Sequence, residues 1–123
     1  MVRQRHDGDC VPCCLAMWAR IGWEEAAGLF PVQRRHGFRH GVSGSAMVRA
    51  WRAIGVEIAQ MPSVERRLGV LMVDEGSHCH ALFWDGRVAW DPRSGRKMGL
   101  RGLGAVEAWH EASNDSKKRR LLL

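Results

Sequence analysis

Apolar and polar positions change period near the middle of the chain. Up to Gly55 the apolar residues recur at helical spacing, and beyond it they come in short runs bounded by turn residues. The first helix is predicted from about Cys10 to Arg20. Asp9 is its candidate cap, Pro12 sits in the first turn where amides lack intrahelical partners, and Gly22 ends it. "WEEAAGLF" predicts a short second helix stopped by Pro31, and residues 32–44 read as a polar, glycine-punctuated loop. Ser45 is placed to cap a third helix whose apolar stripe, Met47, Trp51 and Ile54, runs until Gly55.

The second half reads differently. "VEIAQM" and "GVLMVD" predict short strands. In "HALFWDGRVAW" two apolar stretches flank Asp85-Gly86, the pair that a tight type I′ hairpin turn favours, and Asp91-Pro92 closes the second strand. "GAVEAWHEA" predicts a final short helix. Helices first and an antiparallel sheet second define an α+β class, with the N-terminal helices packed on a small sheet. Residues 1–112 form one domain, and 113–123 read as a basic, frayed C-terminal tail.

Size and composition narrow the function. A chain of 123 residues with 46% hydrophobic content supports one core and no second domain. No run approaches the roughly 18 apolar residues of a membrane span, and "MVRQRHDGD" lacks the apolar stretch of a signal peptide. The expected location is therefore the cytoplasm, where four cysteines serve as thiols, ligands or a nucleophile rather than disulfides. The net charge of +6 is unevenly spread. Lys117, Lys118, Arg119 and Arg120 carry four of these charges, which leaves only two for residues 1–116. A second basic cluster (Arg34, Arg35, His36, Arg39 and His40) falls in the loop. Neither makes a coherent basic face, which argues against specific nucleic-acid binding.

The chemistry concentrates in "QRHDGDCVPCCLAM", residues 4–17, with three cysteines in five positions. Zinc is one reading, since Cys10-x-x-Cys13 is followed by His78-Cys79-His80 and these are tetrahedral zinc ligands. Against it, the first pair spans a helix start with a proline inside, and the second is a His-x-His entering a strand. A nucleophile fits more features. A cysteine in the first helical turn meets free amides and the positive end of the helix dipole, which stabilise a thiolate and lower its pKa. It needs a base and a group to orient that base. His80 opens one hairpin strand and Asp91 ends its partner, so a tight turn brings the two together.

These pieces resemble a papain-like cysteine peptidase of the peptidase C39-like group, related to bacteriocin-leader-processing domains. The matching residues are Gln4, six positions before Cys10, then Asp9-Cys10 and "PCCLAM", and later His80 opening "HALFWDGRVAWDP". The resemblance covers roughly residues 1–92, with Val11 where the family often has glycine. It implies a papain-like fold in which Cys10 is the nucleophile, His80 the base, Asp91 its orienting group and Gln4 an oxyanion-hole donor. It also implies a peptide or protein substrate and no metal or organic cofactor.

Other residues have plainer readings. Cys13 and Cys14, three and four positions past Cys10, should pack inward. Cys79 alternates to the other sheet face and reads as structural. His78 rivals His80 as the base, and His80 is preferred because the apolar run starts right after it. His6, His36, His40 and His110 read as surface residues. The expected function is a cysteine-dependent hydrolase, peptidase or amidase, with acyl transfer to an amine open to the same machinery. The alternative is a catalytically silent papain-like binding or inhibitor module, of phage or mobile-element type.

Overall fold

The computed structural model describes residues 1–112, and the basic segment 113–123 lies outside the described residues. Four helices precede a six-stranded antiparallel sheet, so the α+β class is met. The helices are α1 (Cys10–Ala19), α2 (Trp23–Ala27), α3 (Pro31–Arg35) and α4 (Gly44–Ala53). The strands are β1 (Ile58–Met61), β2 (Gly69–Asp74), β3 (Cys79–Trp84), β4 (Ala89–Trp90), β5 (Lys97–Met98) and β6 (Val106–Glu111). In the sheet they run β1-β6-β2-β3-β4-β5.

The sheet separates two cores. On one face Val70, Ala81 and Phe83 pack with Cys13, Cys14 and Leu15 of α1 and Met47 and Trp51 of α4. On the other, Leu71, Leu82, Trp84, Ala89 and Ala108 are covered by Val64, Met98 and Leu103. The period-two alternation of β2 and β3 divides their side chains between these cores. Cys13 and Cys14 are fully buried, as small apolar side chains on an inward face.

Several local readings shift. The predicted final helix is strand β6, which pairs antiparallel with both β1 and β2. Its Ala and Glu residues favour a helix locally, but Ala108 and His110 alternate inward and complete the sheet. His110 is accordingly not a surface residue: it is fully buried, donating Nδ1–H to the Leu68 carbonyl and accepting the Glu65 amide on Nε2. Pro31 starts α3 rather than merely stopping α2, because a missing N–H is harmless at a first helical position. Ser43, not Ser45, caps α4 by accepting the Ala46 amide. Arg20, in the left-handed region at φ 57°, ends α1 two residues before Gly22, which instead caps α2. In the β3–β4 turn the closing pair is Asp85–Val88, and positive φ falls on Gly86 alone of the two central residues. That is a type II′ arrangement, one residue along from the expected turn.

The close approach of β2 to β6 is testable. A Cβ on Gly69 would lie 2.7 Å from His110 Cε1 and 2.9 Å from the Trp109 carbonyl oxygen. Gly69→Ala is therefore expected to cost about 1–3 kcal/mol in urea unfolding, as overpacking does. Gly44→Ala, where the new methyl meets only ordinary contact with Trp109 at the start of α4, should be neutral or stabilising. Equal midpoints for the two variants would contradict this β6 register.

Candidate active site

Cys10 is the first residue of α1 and is 8% exposed at the floor of a cleft of about 340 Å³. His80, Cys79, His78 and Arg93 line the same cleft from the sheet side, and Arg39, His40 and Gly41 line it from the loop after α3. The β3–β4 ladder stops at Phe83↔Trp90. Further along β3 the Ala81 amide has no β4 carbonyl opposite it, and it donates to Cys10 Sγ at 3.4 Å. The sulfur thus occupies a gap at the edge of the sheet.

The same ending of β4 places the carboxylate. Continued by one step, the register sets Asp91 opposite Leu82, diagonal to His80 and on its face of the sheet. His80 Nε2 and Asp91 Oδ1 are 2.7 Å apart, both buried. Oδ1 also accepts the Arg93 amide at 2.8 Å. Burial alone would raise the Asp91 pKa, but the His80 and Arg93 hydrogen bonds and their charges outweigh it and hold the carboxyl below its usual range. An ionised Asp91 accepts from Nε2–H and leaves Nδ1 as the ring's free nitrogen, a potential proton acceptor.

For Cys10 the balance goes the other way. Burial pushes the thiol up and the neighbouring Asp9 charge adds to this, while the amides of Ala81, Val11 and Cys10 itself pull it down; the net shift is upward. The helix start does supply the expected amides, but desolvation exceeds them. Cys10 and His80 share the cleft without a hydrogen bond between them, so the resting arrangement is a neutral thiol beside a His–Asp pair.

Gln4 is not turned toward the thiol. Its Nε2 donates to the carbonyls of His6 (2.9 Å) and Asp7 (3.2 Å), while Oε1 is buried without a partner. The peptide of Gln4 is anchored by its N–H to the Pro92 carbonyl, beside Asp91. Asp9 occupies the cap position of α1, yet its carboxylate faces backward, accepting the amides of Arg5 (2.9 Å) and His6 (3.2 Å) and the indole N–H of Trp23 (2.7 Å). Cys79, read as structural, is exposed on the cleft. His78 is exposed and pairs with Glu75 at 3.1 Å. Glu75 also takes both terminal nitrogens of Arg93, at 3.0 and 2.7 Å. Among the described residues no group of three or more His, Cys, Asp or Glu could hold a metal ion.

Sequence reasoning missed the Ala81 amide at the sulfur and the loop wall that carries Arg39. Backbone groups leave no residue signature, and the loop wall depends on a long-range contact. Comparison with protein-family models, with curated proteins and with solved structures gives no match to this chain.

The upward shift of Cys10 has a measurable sign. Thiolate forms only as pH passes the raised value, so Cys10 alkylation by iodoacetamide should still be climbing above pH 9.0, the ordinary thiol value. At neutral pH the exposed Cys79 should label first, and Cys13 and Cys14 last. Peptide mass spectrometry after timed labelling reads all four sites. Labelling of Cys10 that saturates near pH 7 would contradict this balance.

Proposed function

We propose that the protein is a cysteine-dependent hydrolase of peptide or related amide bonds, with Cys10 as nucleophile, His80 as base and Asp91 as orienting residue. The observation that carries the reading is the 2.7 Å His80–Asp91 pair in the same cleft as a thiol at a helix start. Structural histidines pair with carboxylates too, but here the pair, the thiol and an open cleft coincide. The order Gln4, Cys10, His80, Asp91 and the papain-like resemblance point the same way.

In this mechanism the ionised Asp91 holds the Nε2–H, so that Nδ1 is basic. As a substrate carbonyl reaches Cys10, His80 takes the thiol proton and sulfur attacks the carbon. The negative charge moves to the carbonyl oxygen, where the first-turn amides of Cys10 and Val11 are available donors. His80 then returns the proton to the leaving amine, and water, deprotonated by His80, releases the acyl group. The resemblance would add Gln4 as an oxyanion donor. That role requires its amide to leave the His6 and Asp7 carbonyls.

The second reading, a silent papain-like module, draws support from the same Gln4 orientation and from the raised thiol. The two readings part on a peptide-library digest by the full chain, read by mass spectrometry. Hydrolysis is expected, and Cys10→Ala and His80→Ala should abolish it. Asp91→Asn should slow it by roughly 10²-fold or more while Cys10 stays alkylatable. His78→Ala should retain it. No cleavage by the wild-type chain beyond that of Cys10→Ala would favour the silent module.

Loss in Gln4→Ala bears on the oxyanion role separately. A donor to the transition state is worth roughly 10²–10³ in turnover, whereas a purely structural Gln4 would show up in urea stability with turnover per folded molecule unchanged.

A further inference from the structure

We propose that Arg39 sets the specificity of the Cys10 cleft and selects substrates carrying a carboxylate near the bond that is attacked. This deepens the hydrolase reading and rests on it for the word substrate. Two arginines line the cleft, and their situations differ. Arg93 has its charge taken up by the bidentate pair with Glu75. Arg39 is exposed, and its guanidinium has no hydrogen bond or ion pair among the described residues. Elsewhere Arg5 and Arg34 are held by Glu24, Arg52 by Glu57 and Arg67 by Glu65.

The loop that presents Arg39 is not free to wander. Phe38, immediately before it, adopts a left-handed backbone at φ 57°, uncommon for a bulky residue. Its ring is 1% exposed and packs edge-on against Trp23, 6.0 Å between centroids, and also near His6. Its amide donates to the Gln33 carbonyl at 2.8 Å, and its carbonyl accepts the Gly41 amide at 3.1 Å. That same carbonyl lies so close to Gly8 that a Cβ there would sit 1.8 Å from the oxygen. Only glycine permits this approach, two residues before the nucleophile. Backbone held this firmly in an unfavourable region suits a residue that must be aimed.

The charges facing the cleft are mixed in kind. Arg39 and Arg93 are cationic, His40, His78 and His80 are imidazoles, and Asp7 is the one carboxylate in the lining. Glu75, behind Arg93 and His78, compensates those two. Asp9 and Asp91 add negative charge beneath the cleft, but each is taken up by hydrogen bonds, Asp9 by the Arg5 and His6 amides and the Trp23 indole, Asp91 by His80 and the Arg93 amide. At the mouth the charges without such partners are Arg39 and Asp7. A guanidinium offers a planar fork matched to a carboxylate, so a bound acid gains hydrogen bonds as well as charge.

Alkylation tests this without requiring turnover. Iodoacetate and iodoacetamide deliver the same reactive carbon, one with a carboxylate and one without. At about pH 9, where free imidazoles are neutral, the iodoacetate-to-iodoacetamide rate ratio at Cys10 should exceed that of a small unstructured cysteine peptide by about 5-fold or more, as charge focusing in a cleft allows. The excess should shrink in about 0.5 M salt, vanish in Arg39→Gln, persist in Arg39→Lys and grow in Asp7→Asn. A ratio equal to the peptide's, or one unchanged in Arg39→Gln, overturns the proposal.

Protection of Cys10 from iodoacetamide then separates the sources of the carboxylate. Ala-Glu-Ala amide protects if a side chain is read, and Ala-Ala-Ala with a free C-terminus protects if a chain end is read. Ala-Gln-Ala amide should protect least, and equal protection by all three counts against carboxylate selection. An anion-preferring Cys10 in a chain that cleaves no peptide would remove the hydrolase reading and leave Arg39 as a binding determinant. Cleavage indifferent to acidic residues, with no alkylation preference, would do the reverse.

Discussion

The fully buried carboxylate of Asp9 is the interaction on which the arrangement of the site depends. Three N–H donors converge on it: the amides of Arg5 and His6 and the indole of Trp23. A charge taken out of water is tolerated only when it is hydrogen-bonded in this way. The consequence is geometric. Residues 5–9 must curl around the carboxylate, so the chain enters α1 with Cys10 as its first helical residue. Trp23 is held at the same point, with Arg5 stacked 4.5 Å over its ring and His6 and Phe38 against it. One side chain thereby fixes the position of Cys10 and, through Trp23 and Phe38, the opposite wall of the cleft.

The second constraint is the shortness of β4. Two residues of ladder suffice to set the β3–β4 register, and then the strands part. Had the pairing continued, the Ala81 amide would have met a β4 carbonyl, and no room would remain for a sulfur at the sheet edge. Because it stops, Cys10 Sγ takes that amide, while the departing chain places Asp91 within 2.7 Å of His80 and returns Pro92 to the N-terminal segment, where its carbonyl accepts the Gln4 amide. Helix start, strand edge and chain entry meet at one place because each leaves a backbone group that the others take up.

Much of this was legible in the residues, and what was not has a physical reason. Cys10 at a helix start follows from local pattern. The hairpin brings His80 and Asp91 together, although through a turn one residue along from the expected one, which sets the pair diagonally rather than directly opposite. β6 was not legible, because its Ala and Glu residues favour a helix and only pairing with two strands distant in sequence reverses that preference. Asp9 read as a cap because Asp at that position usually is one, and the indole that captures it lies 14 residues away. His110 read as exposed for the same reason: its partners, Glu65 and Leu68, come from a different part of the chain. In each case the winning partner is non-local, and single-residue preference says nothing about it.

The electrostatics of the site draw these threads together. Burial opposes ionisation of Cys10 and the charge of Asp9, which also holds the segment before it, opposes it further, so the thiol keeps its proton. The negative charge of the resting site sits instead on Asp91, held there by His80 and the Arg93 amide. A stored thiolate–imidazolium pair is therefore not what this geometry favours. If Cys10 is the nucleophile proposed above, its proton would pass to His80 at the moment of attack, beside a carboxylate that stays ionised. The intrinsic nucleophilicity of a sulfur rises with its pKa, so a thiol held neutral until it is deprotonated reacts more strongly when it does. Alkylation and oxidation also need the thiolate, so a raised thiol is expected to slow both. Burial thus restrains the Cys10 thiol and the Asp9 charge adds to it, while the same carboxylate holds the segment that leads into Cys10.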